Sequence, residues 1–287
     1  GSAGAILTGG PGAIFWMWVI AFFGMATIYA EATLAQETRI KAKDGTIHGG
    51  PVYYITTAFK GGFGKFLAGF FAIAIILALG CFVCMVQSNS IGSTIHTAFG
   101  IPSWTVGVVL VIICGFIFLG GVDRLASVTE KIVPIMAGFF LLGALIVLII
   151  RIKYVPATFG MIFKYAFEPQ AIIGGGLGTA LKIAISQGAK RGLFSNEAGM
   201  GSAPNAAATA DTSHPVKQGL IQSLGVFTDT IIICTCTAFM VLLYTQFNTT
   251  SGATSIELAQ EALSYHIGSL GYTFIAICIF LFAFSSI

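Results

Sequence analysis

The residues with the most chemistry to offer lie together in Arg191–Pro204, which reads RGLFSNEAGMGSAP. Ser195, Asn196, Glu197 and Ser202 supply hydroxyls, a carboxamide and a carboxylate, and Gly192, Gly199 and Gly201 let the backbone leave a helix. The surrounding sequence is strongly apolar. A charged side chain at mid-membrane costs about 2.5–3.5 kcal/mol on insertion scales. Non-helical backbone at that depth survives only when it is buried in protein or lines a cavity. Two readings follow: a loop outside the membrane, or a broken helix built around a polar solute. In the second, half-helix N-termini attract a carboxylate, and bared carbonyls coordinate a cation or an ammonium group. A small amino acid needs both.

Other polar residues are sparser. Gly80, Cys84, Gln87, Ser90 and Thr94 recur at helical spacing, so Gln87 projects from a small-residue face suited to close packing. Asp229 falls near the middle of an apolar span and is expected to be paired there. Glu31 and Glu37 lie near the end of another, at an interface. Glu197 has two readings: a structural carboxylate held by backbone N–H groups, or a participant in cation coupling. His48, His96, His214 and His266 fall near span ends or in loops and read as solvated or interfacial, and Glu257 and Glu261 read as one solvated face. Cys81 and Cys84 have CxxC spacing without a second ligand pair, so the six cysteines read as small membrane-helix hydrophobes. A Gly-X-Ser-X-Gly elbow and a His-Glu-X-X-His motif are both absent, which argues against an intramembrane hydrolase.

The elements that must position these residues are membrane spans. Of 287 residues, 56% are hydrophobic and 9% charged, against about 25% charged in a soluble domain. The net charge of +3 is too small and scattered to suggest nucleic acid. The pattern predicts one all-α integral membrane domain over 1–287. Its spans fall near 12–36, 66–99, 102–120, 132–150 and 216–244, with a last one from about Tyr272. The first has Trp16 and Trp18 near its start, as an interfacial belt would. HGGPVYY (His48–Tyr54) predicts a turn followed by a short amphipathic helix. Residues 121–131 read as a charged loop, with Pro134 in the first turn of the span after it, and 151–169 as an aromatic surface loop. The region 171–211 is too polar for one continuous span, and Gly174, Gly175, Gly176 and Gly178 open it. Loops 39–65, 121–131 and 211–217 hold eight basic residues against three on the other side, which places them in the cytoplasm. That count requires 171–211 to cross the bilayer once, which a broken helix does and a surface loop does not. A glycine-rich start in mid-element, GSAGAILTGGPG, and a stop inside an apolar run at FAFSSI give the expectation of a fragment of a longer protein.

GGPGAIFWMWVIAFFG (Gly9–Gly24), RGLFSNEAGMGSAPNAAA (Arg191–Ala208) and HGGPVYY resemble the sodium:alanine symporter family, the alanine or glycine:cation symporters. The resemblance implies a LeuT-type five-plus-five inverted repeat of the amino acid–polyamine–cation superfamily, here about helices 2–8. It implies a secondary transporter of the cell membrane that takes up alanine or glycine with Na+ (H+ as the alternative), and no other cofactor. The implied substrate contacts are Gln87 and Phe194, with Ser195, Asn196 and Gly199 beside the helix break. Ser285 and Ser286 match the cation-site position, and Glu197, in its second reading, would take part in cation coupling or proton transfer. The helix 1 motif Gly-X-Gly-Asn is not in the chain, so about half of the family's site is represented. An ion channel or structural membrane subunit is the rival class. A channel would show a polar face repeated along several spans, whereas polarity here is confined to 87–90 and 195–202.

Overall fold

A computed structural model describes residues 1–43, 45–168, 177–248 and 255–287. Gly174, Gly175 and Gly176 lie outside the described residues. The chain runs α1 (Ser2–Gly9), α2 (Gly12–Glu37), β1 (Ile40–Lys41), β2 (Ile47–His48), α3 (Pro51–Ala58), α4 (Gly61–Ile75) and α5 (Cys84–Phe99). Then come α6 (Ser103–Phe118), α7 (Gly121–Ile150), α8 (Val155–Phe167), α9 (Leu177–Asn196), α10 (Ala203–Thr209), α11 (Pro215–Val226), α12 (Cys234–Thr245), α13 (Ser255–Ile267) and α14 (Leu270–Phe284). Two π-helical segments, Ile76–Val83 and Phe227–Ile233, join α4 to α5 and α11 to α12. The two strands form a short antiparallel ribbon, Ile40 opposite His48, before the helix that HGGPVYY predicts. Pro51 opens that helix at its first turn, after Gly50 at φ 102°.

Helix α2 is the centre of one half of the bundle. It packs against α9, α11, α8, α10 and α1. Its contact with α9 is close because Gly188 has no side chain: a Cβ there would stand 2.4 Å from the Ala13 carbonyl oxygen. In the other half, α14 packs on α5, α13 and α7, with α6 against α5 and α7. Among the described residues, four stretches are long and apolar enough to cross a membrane: Gly12–Glu37, Gly61–Phe99, Arg124–Ile150 and Pro215–Thr245. Along the second, Phe66, Phe70, Ile73 and Ile76 lie exposed, which suits a lipid environment.

Four sequence expectations are corrected. Residues 121–131 are not a loop but the first turns of the 30-residue α7, and Pro134 lies inside that helix rather than in its first turn. At 1.5 Å per residue such a helix outruns a hydrocarbon core of about 30 Å, so its charged start needs no loop to reach water. Residues 151–169 contain α8, started by Pro156 in its first turn, with Thr158, Ile162 and Ala166 fully buried at one-turn spacing. Its Phe159 and Phe163 rings lie 5.7 and 5.9 Å from Trp18, which therefore packs inside the protein rather than serving only as a belt. Glu257 and Glu261 belong to α13, whose Leu258, Ala262 and Leu263 are fully buried, and Glu261 accepts a hydrogen bond from the Tyr244 hydroxyl at 3.4 Å. His266 is buried rather than solvated. Its Nδ1 accepts from Arg151 Nε at 3.4 Å, so Nε2 carries the proton and donates to the Met240 carbonyl at 3.1 Å. Burial first, then the Arg151 charge, hold its imidazole below the ordinary histidine range, partly opposed by the bond to Met240.

Candidate functional site: a helix break beside α2

Helix α9 stops at Asn196 and α10 starts at Ala203, so residues 197–202 are a break inside the bundle. Glu197 makes the turn. At φ 54° it is the only non-glycine residue at positive φ among the described residues, in a conformation that strains an L side chain. Gly199 (φ 84°) and Gly201 (φ 79°) complete the reversal where glycine carries no such strain. The local side chains fix it. Asn196 Oδ1 accepts the Ala198 N–H at 3.0 Å. The Ser202 hydroxyl donates to the Glu197 carboxylate, so Glu197 is satisfied by a side chain rather than by backbone N–H groups. Asn205 Nδ2 donates to the Gly201 carbonyl at 2.9 Å.

Neighbouring elements close around the break. Helix α2 lays Gly24 against Asn196 and Ala198 and accepts the Gly199 N–H on Glu31 Oε2 at 3.0 Å. Phe71 of α4 and Pro51 fill the space a Gly201 side chain would occupy, so that glycine serves packing and not the size of a pocket. On α3, Tyr54 is half-buried near Glu31. Burial, and then the Glu31 charge, push its phenol up to about 12. From the other side the Phe227–Ile233 π segment brings in Asp229. It accepts from Ser195 Oγ at 2.6 Å and from Thr230 Oγ1 at 3.0 Å. Ser195 also lies 3.3 Å from Cys234 Sγ. Asp229 is therefore paired within the bundle, and its partner is a candidate site residue. One donor is left over: Asn196 Nδ2, in a residue 8% exposed, has no hydrogen-bond partner among the described residues.

The structure brings Ser195, Asn196, Glu197 and Gly199 together, with Phe194 one residue further back along α9. Phe194 is 41% exposed and walls an open depression of about 370 Å³ with Gln187, Lys190 and Arg191. Gln87 and the two serines lie elsewhere. Gln87 sits on α5, which packs on α14 and α6, and its side-chain amide hydrogen-bonds none of the described residues. Ser285 Oγ donates to Phe282 O at 2.8 Å at the end of α14 and lines a cavity of about 40 Å³ between α6, α7 and α14. Ser286 donates to the same carbonyl at 3.2 Å. Sequence reasoning missed Glu31, placing it at an interface. The signal that could have found it is its register, one and two helical turns beyond Thr27 and Gly24 on the face of α2 that meets the break.

Comparison with known proteins gives a consistent result. The description of the sodium:alanine symporter family matches residues 1–287. The chain is 49% identical over 288 residues to the amino-acid carrier protein AlsT of Bacillus subtilis, covering all of this chain and 59% of AlsT. It is 46% identical over 287 residues to "Probable sodium/glutamine symporter GlnT" of the same organism, covering all of this chain and 58% of GlnT. It is 45% identical over 241 residues to the sodium/alanine symporter AgcS of Methanococcus maripaludis, covering 84% of this chain and 52% of AgcS. The chain thus spans between half and three-fifths of the length of these relatives.

Proposed function

The chain belongs to the sodium:alanine symporter family, and on that premise we propose that it serves secondary active transport: symport of a small neutral amino acid, alanine or glycine, driven by Na+, with H+ as the alternative ion. It is a multi-pass membrane protein, all-helical apart from the short ribbon, and family membership sets the intramembrane-enzyme reading aside. The LeuT-type inverted-repeat fold, the cell membrane as its location and the cytoplasmic side for 39–65, the start of α7 and 211–217 are part of the same proposal.

One observation carries the transport reading: an interrupted helix within an apolar bundle, with the carboxamide of Asn196 buried there without an acceptor. A buried donor with no partner costs about 1–3 kcal/mol, and a substrate carboxylate is an acceptor that would satisfy it. Ser195, Gly199 and Phe194 stand beside it as further substrate contacts. Glu197 serves cation coupling, and its carboxylate is steadied by Ser202. Gln87 from α5, and Ser285 and Ser286 as cation ligands on α14, complete the proposed site. Coupling follows if ion and amino acid favour the same state, since the free-energy link between two ligands is reciprocal.

The test is uptake by the full-length protein in liposomes. Labelled alanine accumulates when a Na+ gradient is imposed, stops when it is collapsed, and is competed by glycine. Glutamine belongs in the competition panel because GlnT is named for it. Uptake that persists unchanged with both Na+ and H+ gradients abolished rejects coupled symport.

A further inference from the structure

Every polar contact to the backbone of 197–202 but one comes from within residues 193–205, among the described residues. The exception is Glu31, whose Oε2 accepts the Gly199 N–H at 3.0 Å. The two groups suit each other. Gly199 is in the left-handed region, so its N–H leaves the α9 axis and has no helical carbonyl to meet. Glu31 is half-buried on α2, and a hydrogen bond to a carboxylate is shorter and roughly twice as strong as one between neutral groups. Further contacts run to the following segment from the end of α2 and the turn after it. Gln36 Nε2 donates to the carbonyls of Ala207 and Ala210, and Arg39 donates to those of Ala208 (3.0 Å) and Ala210 (2.8 Å). Gly24, Glu31 and Gln36 of α2, with Arg39 just beyond its end, thus brace the break and the α10 segment from one side.

We propose that Glu31 is a positioning residue for transport. Through the Gly199 peptide it sets the backbone of the break, and with it the direction of the Asn196 amide and the register of α10 on α2. The proposal rests on the transport reading for its consequence, not for its geometry. Without the carboxylate the exposed Gly199 N–H loses its only protein partner among the described residues, the break samples other conformations, and substrate meets a site that is assembled only part of the time. Apparent affinity falls by the fraction of time lost, while Vmax at saturating substrate stays closer to the parent value. Gln at position 31 keeps an acceptor of the same length and loses only the charge.

Two measurements on the full-length protein test this in parallel: hydrogen exchange of peptides covering 193–204, and Na+-driven alanine uptake. For Glu31→Ala, exchange over 193–204 rises about tenfold with that over 12–24 unchanged, and KM for alanine rises several-fold more than Vmax falls. Glu31→Gln recovers most of both. The proposal is overturned if Glu31→Ala exchanges over 193–204 like the parent. It is also overturned if Glu31→Gln matches Glu31→Ala and exchange rises along all of α2, which would mark a general packing role. A parent protein without gradient-driven uptake sinks the transport reading instead, and exchange then still decides whether Glu31 holds the break.

Discussion

At the scale of single residues, the site is held by short polar contacts that an apolar environment makes consequential. The Ser195–Asp229 pair shows this best. A 2.6 Å hydrogen bond supports a carboxylate that would otherwise keep only Thr230 as hydroxyl donor. Ser195→Ala is expected to lower stability by about 1–3 kcal/mol, since it strips a hydrogen-bond partner from a half-buried carboxyl group. Asp229→Asn in the same chain recovers part of that loss. Reversible unfolding in mixed micelles of the two single variants and the double variant measures this, and strictly additive losses would show that the pair is not coupled. The identity of the polar residues at 195–197 was legible in the sequence, because Ser, Asn and Glu are conspicuous among apolar neighbours. Their partners were not. Asp229 is distant in sequence, and Ser202 was not foreseen as the group that satisfies Glu197.

At the scale of elements, α10 is a seven-residue helix that cannot stand alone. It is held by Gln36 near the end of α2, by Arg39 just past that end, and from the HGGP turn by close approach. A Cβ on Gly49 would stand 2.5 Å from the Ala208 Cβ, and one on Gly50 would stand 2.2 Å from Asn205 Oδ1. Gly50 is also at φ 102°. Gly45 provides the control, with φ 87° and open space where a side chain would go. Gly45→Ala is expected to cost about 1 kcal/mol of backbone strain. Gly50→Ala adds a steric conflict with α10 and is expected to cost at least about 2 kcal/mol. Thermal denaturation of the two variants separates the contributions, and equal losses would show that the turn does not grip α10. The motif was visible in the sequence as a turn before a helix. Its role as one side of a clasp needed the chain 150 residues on.

At the scale of the whole molecule, two properties can be checked. The first is pH dependence. His266 links the end of α7, α12 and α13 as a neutral imidazole between Arg151 and the Met240 carbonyl. Its folded-state affinity for a proton is lowered, so the unfolded chain binds that proton more readily. Its contribution is therefore present above the ordinary histidine pKa of about 6.5 and is lost as pH falls below it. Between pH 7.5 and 5.5 the parent's melting temperature should drop more steeply than that of His266→Gln, and parallel curves would refute the assignment. The second is orientation. With the native cysteines replaced, Lys60→Cys is expected to react with an impermeant maleimide only from the cytoplasmic side, and Lys153→Cys only from the other. Labelling of both from one side would overturn the assigned sidedness.

The sequence by itself determined the medium, the approximate spans and the place where a helix has to break. Composition, apolar run length and a cluster of Gly with Asn and Glu are local properties, and the energetic cost of polar groups in hydrocarbon turns them into structure. It misjudged 151–169 and the α13 region as loops or solvated surface, because their buried faces are recognised only once Trp18 and α12 are present to cover them, and 121–131 as a loop, because its charges lie on the end of a helix longer than the hydrocarbon core. Only the tertiary structure decided that Glu31 reaches Gly199, that Ser195 answers Asp229 and that Gln87 and Ser285 stand apart from the break. Contacts across more than 30 residues are set by which helix faces pack together, and the spacing of residues along one chain does not encode that in any form that can be read locally.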